Sequence, residues 1–256
     1  MSQKHSQRGF TIIELLIATM IFSVILIAVS AAVLRFAKQY YKGVISNQTQ
    51  STARAIMDDI SRSVQFNAGT VYILTSNDIS VPFASPTAPN PPVFGYCIGD
   101  SKRYSFVENR QVSDTPDSTL LQSRYGLVSD NITGCSTNTR AIKTTAMTRV
   151  DRNPAQPLVP LNNPRELLGQ HMRLNKLSID EDDGVYAITV KVVYGDNDLL
   201  CSPSTTNPAS GKNSCEEYDP SNTAVYAKDD LRCRLVSGAQ FCAVSELSTS
   251  VKKRVN

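Results

Sequence analysis

The N-terminal part of the chain is dominated by one long apolar run. From Phe10 to Leu34 the sequence contains a single charged residue, Glu14. A helix of roughly 25 residues, rising 1.5 Å per residue, spans a hydrocarbon core of about 30 Å. A secretory signal peptide has a shorter apolar region of about 7–15 residues. The pattern therefore predicts a membrane-spanning helix over residues 10–34.

The helical pattern continues beyond this run with one apolar face. Apolar residues recur there at steps of three or four: Ala53, Ile56, Ile60 and Val64. This spacing is typical of an amphipathic helix, and no proline precedes Pro82. We predict an amphipathic continuation over residues 35–66, which gives a single helix of roughly 85 Å over residues 10–66. Two helices broken near Gly43 are the alternative.

Beyond residue 66 the pattern changes to short segments that favour strands. Residues 174–179 and 185–194 flank the turn cluster 180–184, which predicts a β-hairpin. One apolar face of the second strand is expected against the helix: Tyr186, Ile188, Val190, Val192 and Tyr194. Further strands are predicted at 71–74, 104–107 and 123–128. Loops rich in Pro, Ser, Thr or Asn are predicted at 82–92, 153–164 and 202–214.

The fold class that follows is α+β, with a long N-terminal helix packed against antiparallel β-sheet. Residues 67–256 number about 190, which is enough for one hydrophobic core in a single β-rich head domain.

The residues around Gly9 form a specific motif. A basic leader with Lys4 and Arg8 precedes Gly9, the bulky Phe10 follows, and Glu14 lies four residues farther inside an uninterrupted apolar segment. This combination resembles the processing motif of type IV prepilins and type II secretion pseudopilins. Residues 54–62 also resemble the spine helix of the J- and W-type minor pilins.

The resemblance implies a defined set of events and partners. A membrane prepilin peptidase would cut between Gly9 and Phe10, remove residues 1–9 and methylate the new amino group of Phe10. Other pilin subunits and a membrane assembly platform would be the remaining partners. Glu14 would pair with the Phe10 ammonium of a neighbouring subunit as the helices bundle into a filament. An unpaired carboxylate in an apolar bundle is costly, so this pairing can select the register between subunits.

The cysteines predict the compartment. Six cysteines follow the apolar run, and an even number in this position favours disulfides and an oxidising exterior. Basic residues flank the run on both sides, so charge alone does not decide its orientation. The cysteines therefore place the N-terminus inside and the head domain outside the cytoplasm. Pairing between neighbours along the chain gives Cys97–Cys135, Cys201–Cys215 and Cys233–Cys242, among 15 connectivities that six cysteines allow.

Metal sites are weakly indicated. A zinc site is the alternative use of the cysteines, but no Cys-x-x-Cys occurs and His171 is the only histidine beyond the leader. Carboxylates in two acidic groups are weak candidates for calcium ligands: Asp180, Asp182, Asp196 and Asp198. They do not fit the EF-hand pattern, and solvated turns are the plainer interpretation. No cofactor is predicted.

Enzymatic and nucleic-acid functions find little support. The chain has no Gly-x-Ser-x-Gly and no phosphate-binding loop, so we predict no enzymatic activity. The formal net charge of +3 falls to +1 without Lys4 and Arg8. The cluster Lys252-Lys253-Arg254 would give only weak, salt-sensitive contact with DNA phosphates.

The function predicted from these features is that of a structural subunit, a minor pilin or pseudopilin, of a type IV pilus or type II secretion-like filament. Such a chain would first cross the cytoplasmic membrane once and then join a cell-surface filament. Two alternatives stay open: a membrane-anchored extracytoplasmic adhesin or binding module that does not polymerise, and an anchored enzyme such as a hydrolase.

Overall fold

The computed structural model describes residues 11–67, 70–75, 93–99, 101–109, 111, 126–133, 162–203, 215–217, 231–234 and 238–254. In these residues one long helix, α1 (Ile12–Phe66), precedes a set of antiparallel strands. The predicted α+β class is confirmed. The predicted loop at 82–92 lies outside the described residues, as do most of the loops predicted at 153–164 and 202–214.

Helix α1 contains 55 residues without a break, a length of roughly 80 Å. It passes through Gly43 as regular helix, so the alternative of two helices broken there is wrong. The helix ends at Phe66, where the backbone N–H of Asn67 donates to the carbonyl oxygen of Ser63 at 3.1 Å. Buried side chains occur only in the second half of the helix: Ile45, Thr49, Ala53, Ile56, Met57, Ile60 and Val64. The predicted apolar face is confirmed.

A five-stranded meander follows the helix. Its strands lie in chain order: β1 (Val71–Thr75), β2 (Val93–Ile98), β3 (Lys102–Val107), β4 (Leu127–Asn131) and β5 (Asn162–Glu166). The prediction of loop through residue 164 is wrong at its end, because Asn162 to Pro164 belong to β5. Proline lacks the N–H of a central ladder but is tolerated at a sheet edge, and β5 is an edge strand.

The predicted hairpin is confirmed as β6 (Met172–Asp182) and β7 (Val185–Tyr194). Asp183 and Gly184 link the strands with φ values of 48° and 74°, the left-handed pair that a two-residue hairpin turn requires. The apolar face of β7 is buried as expected, with Tyr194 partly so. On the other side of β7 lies β11 (Ala243–Lys252), a strand that the sequence pattern did not predict.

A small third sheet contains β8 (Leu200–Pro203), β9 (Cys215–Glu217) and β10 (Arg232–Cys233) in the order β10-β8-β9. Ser202 and Pro203 belong to β8, so the loop predicted from residue 202 starts later than expected. Apolar residues at this end of the molecule form a second cluster, in which Val193 packs with Leu199, Leu200 and Leu231.

The main core joins the second half of α1 to both large sheets. One cluster includes Ile60 of α1, Phe106 of the meander and Val190 of the hairpin. Hydrogen bonds connect the same elements. The Tyr104 hydroxyl donates to a carboxylate oxygen of Asp59 on α1 at 2.8 Å, and the Tyr96 hydroxyl donates to the carbonyl oxygen of Leu177 at 3.2 Å. The head is thus built around the C-terminal half of the helix.

Ionisable groups also lie inside the head. Arg103 on β3 donates from Nε and Nη2 to the two carboxylate oxygens of Asp130 on β4, at 2.9 and 2.6 Å, and both side chains are buried. Arg173 on β6 donates to the side-chain oxygen of Asn197 at 2.8 Å and to the carbonyl oxygen of Gly195 at 2.7 Å. The carboxylate partner of Arg103 and the neutral acceptors of Arg173 limit the cost of burying these charges.

Candidate assembly surface

The N-terminal half of α1 carries the predicted assembly residue. Thr11 precedes the helix in extended conformation, and its hydroxyl oxygen accepts from the backbone N–H of Glu14 at 3.3 Å. In return, Oε2 of Glu14 accepts from the Thr11 backbone N–H at 3.0 Å and from its hydroxyl at 2.9 Å. This reciprocal arrangement is a capping box. The carboxylate therefore has donors within its own chain, while Gly9 and Phe10 lie outside the described residues.

The helix beyond this cap is an exposed apolar cylinder. All residues from 12 to 36 are exposed, and the large apolar side chains up to Leu34 are between 50% and 81% accessible. Soluble monomers rarely expose contiguous apolar patches larger than a few hundred Å². The helix is long and apolar enough to cross a membrane. Such a surface requires a second apolar environment, either lipid or the helices of other subunits.

The hydroxyl residues of this segment are satisfied within the helix. Thr19 donates to the carbonyl oxygen of Leu16 at 3.0 Å, and Ser23 donates to that of Thr19 at 2.7 Å. Ser30 donates to the carbonyl oxygen of Leu26 at 2.8 Å. An unsatisfied polar group in hydrocarbon costs several kcal/mol, so these bonds keep the segment compatible with an apolar phase.

The start of the chain matches a known family model. The model of the prokaryotic N-terminal methylation motif matches residues 4–30. The matched span contains Gly9, Phe10 and Glu14 and ends within the exposed half of α1. This match supports a type IV prepilin-like protein. No curated protein and no solved structure matches the chain.

The motif and the fold point to the same class of protein. The motif implies processing by a prepilin peptidase and association with other pilin subunits. A long apolar N-terminal helix followed by antiparallel sheet is a pilin-like arrangement. The helix and the motif together fit membrane anchoring followed by incorporation into a surface filament.

The predicted cysteine pairs are described in part. Cys233 and Cys242 form a disulfide, the pairing that adjacency suggests, and it connects β10 to the start of β11. Cys97 and Cys201 are also disulfide-bonded. The pair Cys97–Cys135 lies outside the described residues because Cys135 does. The pair Cys201–Cys215 cannot be checked either, because the side chain of Cys215 is not described. Both stay predictions.

The four candidate calcium ligands lie in two separate places. Asp180 and Asp182 lie at the turn end of β6, whereas Asp196 and Asp198 follow the far end of β7, about 25 Å away along the strands. All four are exposed. Among the described residues, no group of three or more His, Cys, Asp or Glu side chains is placed to hold a metal ion.

The last residue of the basic cluster near the C-terminus, Arg254, is held against the helix. The backbone N–H of Arg254 donates to the carbonyl oxygen of Gln65 at 3.0 Å, and its guanidinium lies 5.6 Å from the centre of the Phe66 ring. Arg254 therefore closes the C-terminal end of α1, an attachment that the local sequence did not predict. Contact of this cluster with DNA stays a prediction.

Sequence reasoning also missed a carboxylate inside the head. Glu166, the last residue of β5, accepts four backbone N–H bonds: from Gly126 at 2.7 Å, Leu127 at 3.0 Å, Leu167 at 3.1 Å and Leu168 at 2.9 Å. Burial raises the pKa of the Glu166 carboxyl to about 7, against the opposing effect of these N–H groups. No local motif distinguishes Glu166, because its partners come from β4 and from the turn that follows β5.

Proposed function

We propose that this prepilin-like protein is a minor pilin or pseudopilin, a structural subunit of a type IV pilus or type II secretion-like filament. The proposal rests on one observation. A single unbroken helix carries an exposed apolar surface with Glu14 at one end and a folded head at the other. The length of 256 residues and the six cysteines favour a minor over an abundant major subunit.

The proposed path to the filament has three steps. Residues 10–34 insert into the cytoplasmic membrane with residues 1–9 inside and the head domain, residues 67–256, outside. A prepilin peptidase then cuts after Gly9 and methylates the amino group of Phe10. The assembly platform finally moves the helix from lipid into the bundle of subunit helices. The apolar surface keeps an apolar environment throughout, so this transfer avoids exposing it to water.

The capping box supports the proposed pairing role of Glu14. In the described residues both bonds from Thr11 reach Oε2. A carboxylate has about four lone-pair positions, so Oε1 retains acceptor capacity for the Phe10 ammonium of a neighbour. The bonds from Thr11 orient the carboxylate before the neighbour arrives. A subunit in the wrong register would leave the carboxylate without this cationic partner in an apolar bundle.

Processing is tested at the cleavage site. We expect Gly9→Val to block cleavage, and mass spectrometry of the purified protein to show the full-length chain. The wild-type chain should begin at methylated Phe10. A Gly9→Val chain that also begins at Phe10 would contradict the proposed processing. A wild-type chain that keeps residues 1–9 would instead favour a simple membrane-anchored adhesin.

Assembly is tested separately from processing. We expect Glu14→Ala and Glu14→Val to be cleaved normally but depleted from the sheared filament fraction. Ser30→Ala, in the same exposed half of α1, is the matched control and should be incorporated like the wild type. Equal amounts of the Glu14 variants and the control in filaments would refute the pairing role. Imaging of filaments with labelled chain then separates a tip subunit from a shaft subunit.

A further inference from the structure

Three aromatic rings cluster where the exposed half of α1 meets the head. Tyr40 and Tyr41 lie on the helix with ring centres 6.1 Å apart, and Phe241 of the head lies 5.8 Å from Tyr41. We name these three residues the aromatic collar. Their side chains are 70%, 51% and 43% exposed respectively. The rings thus contact one another and still present a large apolar surface outward.

Phe241 is held in place by the local structure of the head. It belongs to the short 3₁₀ segment Ala239–Phe241, and its backbone N–H donates to the carbonyl oxygen of Gly238 at 2.8 Å. Gly238 has a φ of 100°, a conformation that other residues rarely adopt. The disulfide between Cys233 and Cys242 fixes the following residue. The exposed ring is therefore presented by a constrained segment.

The collar lies at a defined height above the apolar run. Tyr41 lies seven positions beyond Leu34, which is about 10 Å along a helix. The headgroup regions add about 5–8 Å on each side of a hydrocarbon core of about 30 Å. This height slightly exceeds that thickness, so a helix whose apolar run fills the core brings Tyr41 to the outer edge of the headgroup region, and tilt of the helix lowers it further. Tyrosine and other amphipathic rings are enriched at that level of membrane proteins.

The charges near the collar suit a lipid surface. On the helix, Arg35, Lys38 and Lys42 lie on the same stretch, and the sequence has no acidic residue between Glu14 and Asp58. On the head, the exposed Asp196 follows Gly195, which lies against Phe241, so the positive charge near the collar comes from the helix. Lysine and arginine side chains can keep their stems on apolar surface while the cationic groups reach lipid phosphates. Basic residues beside exposed aromatic side chains are typical of surfaces that bind the membrane interface.

We propose that the aromatic collar is a second membrane contact, which seats the head domain on the lipid headgroups before assembly. Phe241 extends the membrane contact from the helix to the head, and the three basic residues bind anionic headgroups around it. This inference rests on the proposed insertion of residues 10–34. It adds that extraction must also release the head from lipid, whereas a freely tethered head would need no such release.

The sequence offers a direct test, because the chain contains no tryptophan. Three single-tryptophan variants of the full chain are reconstituted in vesicles: Phe241→Trp in the collar, Val185→Trp at the far end of the hairpin, and Ile27→Trp in the apolar run. Lipids with a spin label on the headgroup or deep in the acyl chain then quench the fluorescence according to depth. All three positions are exposed, so the core need not be repacked.

We expect headgroup-labelled lipid to remove roughly half of the emission of Phe241→Trp and almost none from Val185→Trp, which lies about 30 Å farther along β7. The acyl-chain label should quench Ile27→Trp. Quenching at position 27 without quenching at position 241 would overturn the docking proposal and leave the anchor intact. Absence of quenching at position 27 would overturn both. If the emission at position 241 is not quenched by labelled lipid but changes with the protein-to-lipid ratio, the collar contacts a second copy of the chain instead of lipid.

Two further measurements guard against a local effect of the tryptophan. In the unsubstituted chain, amide hydrogen exchange of residues 239–241 should be slower in anionic vesicles than in vesicles of neutral lipid. A triple variant, Arg35→Gln, Lys38→Gln and Lys42→Gln, should lose this difference. Equal exchange of the unsubstituted chain in both lipids would contradict the role of the basic residues.

Discussion

The two halves of α1 have the same backbone structure and opposite surroundings. Residues 12–36 are all exposed, whereas the helix from Ile45 onward buries one face in the core of the head. In the second half, polar residues separate the apolar positions and restrict burial to one stripe. In the first half, apolar residues surround the helix. The head therefore needs only half of its helix, and the other half requires an apolar environment outside the head.

The same contrast appears in two glutamates. Glu14 lies on the exposed half and accepts two bonds from Thr11. Glu166 lies in the head and accepts four backbone N–H bonds from two separate segments. The first carboxylate is held by its own helix turn and remains open to a neighbour. The second is fully used by the fold, so the two should respond differently to substitution.

The largest expected effect compares matched isoleucines in the two halves of α1. Ile60 is 0% exposed and Ile27 is 71% exposed. Ile60→Ala should lower the free energy of unfolding of the head by about 2–5 kcal/mol, because it removes buried apolar contacts and leaves a cavity. Ile27→Ala should change that free energy by less than about 0.5 kcal/mol. Denaturant unfolding of the full chain in detergent, followed by near-ultraviolet circular dichroism, measures both.

The stability of Ile27→Ala shows whether the exposed half of α1 contributes to the head. Equal destabilisation by the two variants would show that the exposed half packs on the head in solution. In that case the distinction between an assembly half and a structural half would fail. Met57, which is also buried on α1, provides an independent check, because Met57→Ala should behave like Ile60→Ala.

Local sequence patterns predicted the parts of this molecule that depend on local physics. The apolar run, the amphipathic stripe and the hairpin follow from periodicity and turn residues. The motif at Gly9, Phe10 and Glu14 lies within 11 residues of Lys4, so adjacent residues carry it. The structure has one helix where the sequence left two open. A single glycine, Gly43, does not end a helix of this length.

Features that depend on distant residues were not predictable in the same way. Strand β11 lacks a clear alternation of apolar and polar residues, because Ser245 shares the inward face with Leu247 and Val251, and only its pairing with β7 makes it a strand of the head. The bidentate contact between Arg103 and Asp130 joins residues on different strands. The collar brings Phe241 to Tyr41 across some 200 residues of sequence. Such contacts depend on how the sheets pack, which periodicity does not encode.

An intermediate effect is expected at Glu166. Glu166→Gln replaces an acceptor oxygen with an NH₂ group, which leaves one or more backbone N–H groups without an acceptor. The free energy of unfolding should fall by about 1–3 kcal/mol at neutral pH. Glu246→Gln, at an exposed position on β11 opposite Lys191, is the control, and the loss of that cross-strand pair should cost at most about 1 kcal/mol. Equal stability of the two variants would show that the four bonds contribute little.

The pH dependence at Glu166 has a definite sign. Burial raises its pKa to about 7 from the 4.5 of an unfolded chain, so between these values the folded state binds the proton more tightly. The stabilisation from this group is complete below about pH 4.5 and is lost as the pH rises through 7. The stability difference between wild type and Glu166→Gln should therefore decrease over that range. Parallel pH profiles of the two proteins would contradict the raised pKa.

The smallest expected effect lies at Thr11, which caps the exposed half of α1. Thr11→Val removes the hydroxyl that accepts from Glu14 and donates to its carboxylate, while the side chain keeps its shape. Hydrogen exchange of the first-turn amides in the unprocessed chain should become roughly fivefold faster, the usual result of losing a helix cap. Thr11→Ser retains the hydroxyl and should exchange like the wild type. Because the cap lies far from the core, unfolding of the head should be unchanged in both variants. A loss of head stability in Thr11→Val alone would show that the two halves of α1 are coupled, and it would remove the basis for assigning them separate roles.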